Sequence, residues 1–392
     1  PPTSINLERA AHKKLHTLKK VPFMTNDYSN LFLPYTLNNG VTVPNRLAVA
    51  PLTLYCQNPD GTVSDDERDF LKHHGEGFGL YVTGATLVDA GGQSFYGQAR
   101  ALSEADLPSL RERVEIVRSL GAIPIAQLFH GGILANPDFL PDHQPRGPSA
   151  TPDEKASELT EAEIESLIQK FAYAAELCMK AGYAGVEVHG AGPFLLPQFV
   201  SEETNRRTDR WGGSLENRLR FPLAVLDAVI DVKEKAGQKD FIIGYRITPE
   251  QPGEKGITMK ETLAAVSEIA KRPIQYLHVS QQNFFHAVRR GADTSKSRME
   301  LIHEAVAGRT AVIGAGELVT GADFERAVSS GWTEFAAAGQ SVMLNPDLAR
   351  LVREGRDDLI DRFRDESKND SYHLPKVLWP WVPDKDGPAK LP

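Results

Sequence analysis

From about residue 46 onward, short apolar runs alternate with longer segments whose apolar residues recur at helical spacing. The runs are RLAVA (46–50), GLYVTGA (79–85), AIPIAQLF (122–129), AGVEV (184–188), FIIGYR (241–246), YLHVS (276–280), TAVIG (310–314) and FAAAG (335–339). They are largely apolar throughout instead of alternating with polar residues, which suits strands buried on both faces of a parallel sheet covered by helices. A hydroxyl residue three positions before a carboxylate marks helix starts at Ser64 with Glu67, Thr160 with Glu163, Thr258 with Glu261, and Thr320 with Asp323. After Thr160, apolar residues Ile164, Leu167, Ile168, Phe171, Ala175 and Cys178 keep helical spacing until Gly182 offers a stop. Strand–helix units in this order predict an α/β chain closed into a (β/α)8 TIM barrel, with an open doubly wound sheet as the competing arrangement.

The same pattern divides the chain. Residues 1–30 read as a polar N-terminal extension, 31–365 as the barrel domain, and 366–392 as a Pro-rich C-terminal tail expected to run extended. That tail carries Trp379 and Trp381, and three readings fit it: packing on its own barrel, a contact in a homo-oligomer, or an arm across an active-site mouth. With 392 residues, 41% of them hydrophobic and 24% charged, the chain has the composition and length for a large core. Acidic residues outnumber basic ones, 52 to 44, and the basic ones are scattered, which argues against a nucleic-acid partner. Cys56 and Cys178 make neither a disulfide framework nor a metal-ligand pattern, so no metal is expected and the cytoplasm is the expected compartment. No apolar run approaches the roughly 20 residues that span a bilayer, so no membrane partner is expected.

Barrels of this kind build active sites at the carboxyl ends of their strands, where the connecting loops converge. Those ends carry Pro51, Leu52, Thr53 and Tyr55, then Ala85, Gln127 with His130, His189 to Phe194, Arg246, Ser280, Gly316, and Gly339 with Gln340. Polar side chains and glycines at such places point to a small-molecule ligand. Glycines after the last two strands suit a phosphate held by backbone N–H groups, although they also serve as ordinary turn residues. Gln127 and Arg246 lie inside apolar strands and need partners to offset desolvation, either a cofactor edge or a structural pair such as one with Glu187.

The segment HGAGPFLLPQFVSEETNRRTDRWGGSLENRLRF (189–221) strongly resembles the Old Yellow Enzyme family of FMN-dependent oxidoreductases, most specifically over 205–221. PNRLAVAPLT (44–53), GAIPIAQLFHGG (121–132), GYRITPEQ (244–251) and residues 314–348 extend the resemblance in the family's order. It implies FMN at the carboxyl face of the barrel, with Thr53 near flavin O4 and the backbone of Pro51, Leu52 and Ala85 lining the ring. Gln127 and Arg246 would face the N1/O2 edge, where a positive donor stabilises the reduced flavin. Gly316, Gly339 and Gln340 would approach the phosphate. His189 would donate a hydrogen bond to the carbonyl oxygen of a substrate that receives hydride.

Three positions depart from the family pattern. Gly192 stands where a second donor, His or Asn, is usual; Phe194 stands where a Tyr commonly supplies a proton; Gln340 stands where Arg is usual. Gly192 and Phe194 have no side-chain donor and are expected to shape the substrate pocket. Tyr55 resembles a Tyr that one branch of the family places over the flavin, which implies a donor or acid there, with a packed aromatic of the first loop as the alternative. The expected activity is transfer of hydride from NADH or NADPH through FMN to an electron-poor small molecule, an enone or quinone, in a ping-pong cycle. A flavin-dependent dehydrogenase or oxidase of an atypical substrate, and a flavin-binding barrel without turnover, are the alternatives. With no cysteine cluster, a single electron centre is expected.

Overall fold

The computed structural model describes residues 26–384. An antiparallel hairpin of β1 (Tyr35–Thr36) and β2 (Thr42–Val43) leads into β3 (Leu47–Val49), α1 (Asp65–His73), β4 (Leu80–Leu87), α2 (Leu107–Ser119) and β5 (Ile123–Phe129). A short parallel pair, β6 (Arg146–Gly147) and β7 (Ser157–Glu158), precedes α3 (Glu161–Ala181), β8 (Gly185–Gly190), α4 (Leu195–Val200) and α5 (Leu215–Lys235). Then come β9 (Ile242–Ile247), α6 (Met259–Ala270), β10 (Tyr276–Ser280), α7 (Arg298–Val306), β11 (Ala311–Ala315) and α8 (Gly321–Ser329). The series ends with β12 (Phe335–Ala338), α9 (Gln340–Leu344) and α10 (Leu348–Arg353). Strands β3, β4, β5, β8, β9, β10, β11 and β12 form a closed parallel barrel, with β12 pairing back onto β3 through Ala337 and Ala48. Each apolar run in the sequence is one of these strands, and closure excludes the doubly wound alternative.

Two apolar layers hold the barrel. Ala48, Leu80, Val82, Ile125, Ile242, Ile313 and Phe335 pack inside it, together with Leu37 and Val43 of the hairpin region, which plug its amino end. Outside, residues such as Val186, Val188, Phe171, Ala175 and Val225 pack strands against helices. Nearer the carboxyl ends the interior turns polar. Glu187 on β8 bonds to His278 on β10, past the intervening β9, so this contact crosses the barrel lumen.

The helix starts follow the sequence signals closely. Thr160, Thr258 and Thr320 each form reciprocal caps with the carboxylate three residues on. Ser64 Oγ accepts from the Glu67 N–H at 3.0 Å, but the Glu67 carboxylate does not return the bond. It is buried in an ion pair with Arg113, Oε2 to Nη2 at 2.8 Å, because two unpaired charges could not be buried there.

The tail departs from the extended course expected for it. Glu366–Tyr372 and Lys376–Trp381 are short 3-10 helices. Proline fixes φ near −65°, which suits a 3-10 turn as well as an extended chain, and burial of Tyr372, Leu378 and Val382 selects the turns. Residues 1–25 of the expected extension and 385–392 of the tail lie outside the described residues.

Candidate active site

His189 is the inward-facing residue near the end of β8, paired in register with Arg246 on β9. Its Nδ1 accepts from the Ala191 N–H at 3.4 Å, which leaves the ring proton on Nε2 as a donor. Burial and the neighbouring Arg246 charge hold its pKa down at about 3, so the ring is neutral. Phe129 and Phe194 meet the imidazole edge-on, each with centroids 5.4 Å away.

Beneath it lies the polar layer. Glu187, fully buried, accepts from Gln127 Nε2 at 2.7 Å and pairs with His278 Nδ1 at 2.8 Å. Burial alone would raise the Glu187 pKa, but His278, Arg246 and Gln127 together outweigh it and keep the carboxylate ionised. One N–H of Gln127 is thus spent on the structural pair that the sequence offered as one of its two readings. Arg246 is different: its buried Nε has no hydrogen-bond partner among the described residues. Leaving such a group unpaired costs about 1–3 kcal/mol, which an acceptor edge of a ligand at the mouth would offset. A flavin pyrimidine edge has the right chemistry for this donor.

On the other side of the mouth, a register shift between Thr83 and Thr86 drops Gly84 and Ala85 out of the β4–β5 ladder, and the Ala85 carbonyl accepts from Gln98 Nε2 at 3.2 Å. Pro51, Leu52 and Thr53 are half-buried on the loop after β3. Tyr55 follows with a left-handed φ of 54°. Its ring meets Phe95 edge-on at 5.4 Å and stacks on Trp381 at 5.9 Å. Phe95 also contacts Phe129 and Phe194, so Tyr55 and His189 stand at two ends of one aromatic wall. Burial raises the Tyr55 pKa and keeps the phenol protonated. Phe95 escaped sequence reasoning as a wall residue, since a loop carries no periodicity that points inward, whereas the stacking of Trp381 on Tyr55 agrees with an arm across the mouth, one of the three readings of the tail.

After β11, Gly316 has φ 140°, and a Cβ there would lie 2.7 Å from the Gln281 carbonyl oxygen and 2.8 Å from the Phe284 nitrogen. Only glycine fits this turn, because the loop after β10 approaches the Gly316 backbone closely. Gly339 precedes α9, and the exposed Gln340 side chain makes a long hydrogen bond, 3.5 Å, to the Trp381 carbonyl. Arg290, on the loop after β10, spends its guanidinium on the carbonyls of Glu254, Gln251 and Gly256. Gly192 sits at φ 65° with its N–H on Thr248 Oγ1 at 2.9 Å, so the position of the usual second donor is a tight left-handed turn.

The family model for the NADH:flavin oxidoreductase / NADH oxidase family matches residues 30–358. The chain belongs to this family. As a flavin oxidoreductase of the Old Yellow Enzyme type, it uses FMN and draws hydride from a nicotinamide. It is 36% identical to a probable NADH-dependent flavin oxidoreductase of Bacillus subtilis (strain 168) over 93% of this chain and 100% of that protein. It is 32% identical to an NADH:fumarate oxidoreductase of Klebsiella pneumoniae (strain 342), over 88% of this chain but 38% of that longer protein. Among solved structures, morphinone reductase superposes with a TM-score of 0.72 at 27% identity, covering 87% of this chain and 94% of that one.

The most family-specific stretch of this flavin oxidoreductase, residues 205–221, turns out to be scaffold. Asn205 Nδ2 donates to the Phe199 and Trp211 carbonyls at 2.7 and 2.9 Å. Arg207 binds the Pro148 and Leu159 carbonyls and pairs with Asp209 at 2.6 Å. Arg218 joins Glu202 and Glu261. Together these bonds fix the loop between α4 and α5, and with it the segment that carries Phe194. Among the described residues no helix is long and apolar enough to cross a membrane.

Proposed function

We propose that the enzyme reduces uncharged, flat, electron-poor acceptors, enones or quinones, at the face of His189. The observation that carries this reading is the pairing of a neutral His189, with Nε2–H free to donate, and a half-buried Arg246 whose buried Nε has no hydrogen-bond partner among the described residues, at adjacent strand ends. Thr53, Gln127 and Arg246 would hold the flavin ring, with the backbone of Pro51, Leu52 and Ala85 along it and Gly316, Gly339 and Gln340 at the phosphate. Bound there, FMN would supply storage for two electrons between nicotinamide and acceptor. Arg246 places positive charge where the reduced ring becomes negative. His189 Nε2–H donates to the acceptor oxygen as charge builds on it. Tyr55, protonated, is the candidate proton source, while Gly192 and Phe194 shape the substrate pocket.

Relatives include an NADH:fumarate oxidoreductase, an NADH:acrylate oxidoreductase and a probable flavin mononucleotide-dependent alkene reductase. An enone fits this site better than a dicarboxylate, because Phe95, Phe129 and Phe194 around His189 would have to desolvate two carboxylates. The two free cysteines, one of them fully buried, are in keeping with a reducing cytoplasm. Anaerobic steady-state assays with 2-cyclohexenone, a benzoquinone and fumarate, all with NADH, test the proposal. Turnover of the first two and not the third is expected; fumarate as the best acceptor would refute it.

A further inference from the structure

Away from the barrel mouth, α1 presents Asp69 and His73 four residues apart on one helical face, and the C-terminal tail brings His373 against them. His73 Nδ1 lies 2.8 Å from the Asp69 carbonyl oxygen and 3.2 Å from Asp69 Oδ1, with its Nε2 left for a ligand, and His373 Nδ1 lies 3.1 Å from Asp69 Oδ2. One ligand atom from each of the three residues lies within 4.8 Å of the others. The two imidazoles stack face to face with centroids 3.5 Å apart and planes 5° from parallel. His373 holds a left-handed backbone, φ 47° and ψ 33°, a conformation uncommon for a residue other than glycine. The adjacent His74 takes no part: it is buried, with Nδ1 on the Phe70 carbonyl at 2.8 Å.

We propose that Asp69, His73 and His373 form a site for a divalent transition-metal cation of the Zn2+ type, which clips the C-terminal tail to α1. A helical pair at i and i+4 is a natural chelate, and a third ligand from a segment about 300 residues away closes it. Two imidazoles and one carboxylate favour zinc or its borderline-soft neighbours over magnesium or calcium, which prefer all-oxygen sites. Half-exposed imidazoles rotate readily about their side-chain bonds, so the stacked rings can turn to converge on one ion, with water completing the tetrahedron. The clip lies eight residues before Trp381, whose ring stacks on Tyr55 at the barrel mouth. Metal binding therefore fixes the tail that roofs the mouth, a consequence that rests on the proposed active site, whereas the metal site itself does not.

Calorimetry on the untagged, full-length, FMN-loaded enzyme tests the site with ZnCl2 and MgCl2, alongside proteolysis of the C-terminal tail with and without zinc. One Zn2+ per chain is expected, with no binding of Mg2+ at equal concentration, at least tenfold weaker zinc binding in both His373→Asn and His73→Ala, and slower tail cleavage with zinc only in the wild type. Asparagine at 373 tolerates the left-handed turn, so that variant keeps the fold. Zinc affinity unchanged in either variant, equal Mg2+ binding, or no zinc binding at all would overturn the proposal.

Discussion

The proton on His189 sits on Nε2 because Nδ1 already accepts from a backbone N–H. If that single donor stabilises charge on the acceptor oxygen, removing it costs about 3 kcal/mol of transition-state stabilisation, a factor of roughly a hundred. His189→Ala should therefore lower kcat/KM for 2-cyclohexenone about a hundredfold while leaving the fold and FMN content intact; an unchanged rate would remove His189 from the chemistry. The histidines also set the acid limit of the protein. Burial holds His74 at about 4, and burial with Arg246 holds His189 at about 3, both below the unfolded value near 6.5. The unfolded chain thus takes up protons at these two sites that the folded chain refuses, so their contribution to stability is complete above pH 6.5 and declines as pH falls toward 4. Each histidine contributes a slope of about 1.4 kcal/mol per pH unit in that window. Urea melts at pH 7 and pH 5 should show the loss, and equal midpoints would contradict it.

Among the elements, the α1 start shows how a local signal and a long-range demand share one residue. Ser64 caps the helix as its spacing predicts, yet Glu67 serves Arg113 on α2 rather than the cap. Glu67→Gln would leave the Arg113 guanidinium buried without a counter-charge, at a cost of about 3–5 kcal/mol. Thermal melts should show a large drop for this variant, and a change under about 1 kcal/mol would mean the pair is dispensable. Strand and helix positions were legible in the sequence because burial on both faces leaves an unbroken apolar signature, and the Thr caps because their geometry is local. The Glu67–Arg113 and Glu187–His278 pairs were not, since each joins residues tens of positions apart whose proximity only the closed barrel creates.

For the molecule as a whole, the strand ends were the readable half of the site. His189, Gln127 and Arg246 stood out as polar residues in or beside apolar runs, and the barrel sets His189 beside Arg246 with Gln127 in the layer beneath them. The roof was only one of three readings of the tail: Trp381 does reach Tyr55, but nothing in a Pro-rich stretch encodes which way its rings face. Trp381→Ala should open that roof, raising kcat/KM for a bulky cyclic enone relative to 2-cyclohexenone. A ratio identical to the wild type would show that the tail does not gate the acceptor. The polar layer below has its own reach, since Glu187, Gln127 and His278 brace the barrel directly under Arg246, whose buried Nε has no hydrogen-bond partner among the described residues.

The account rests on FMN seated against that guanidinium and exchanging hydride at the His189 face. The most direct measurement is anaerobic: mix the FMN-loaded enzyme with one equivalent of NADH or NADPH, follow the flavin absorbance, then add 2-cyclohexenone. Bleaching by at least one nicotinamide, followed by recovery of the oxidised spectrum with one equivalent of cyclohexanone formed, is the predicted result. A flavin that neither nicotinamide bleaches, or a reduced flavin that the enone leaves unchanged, would contradict the account.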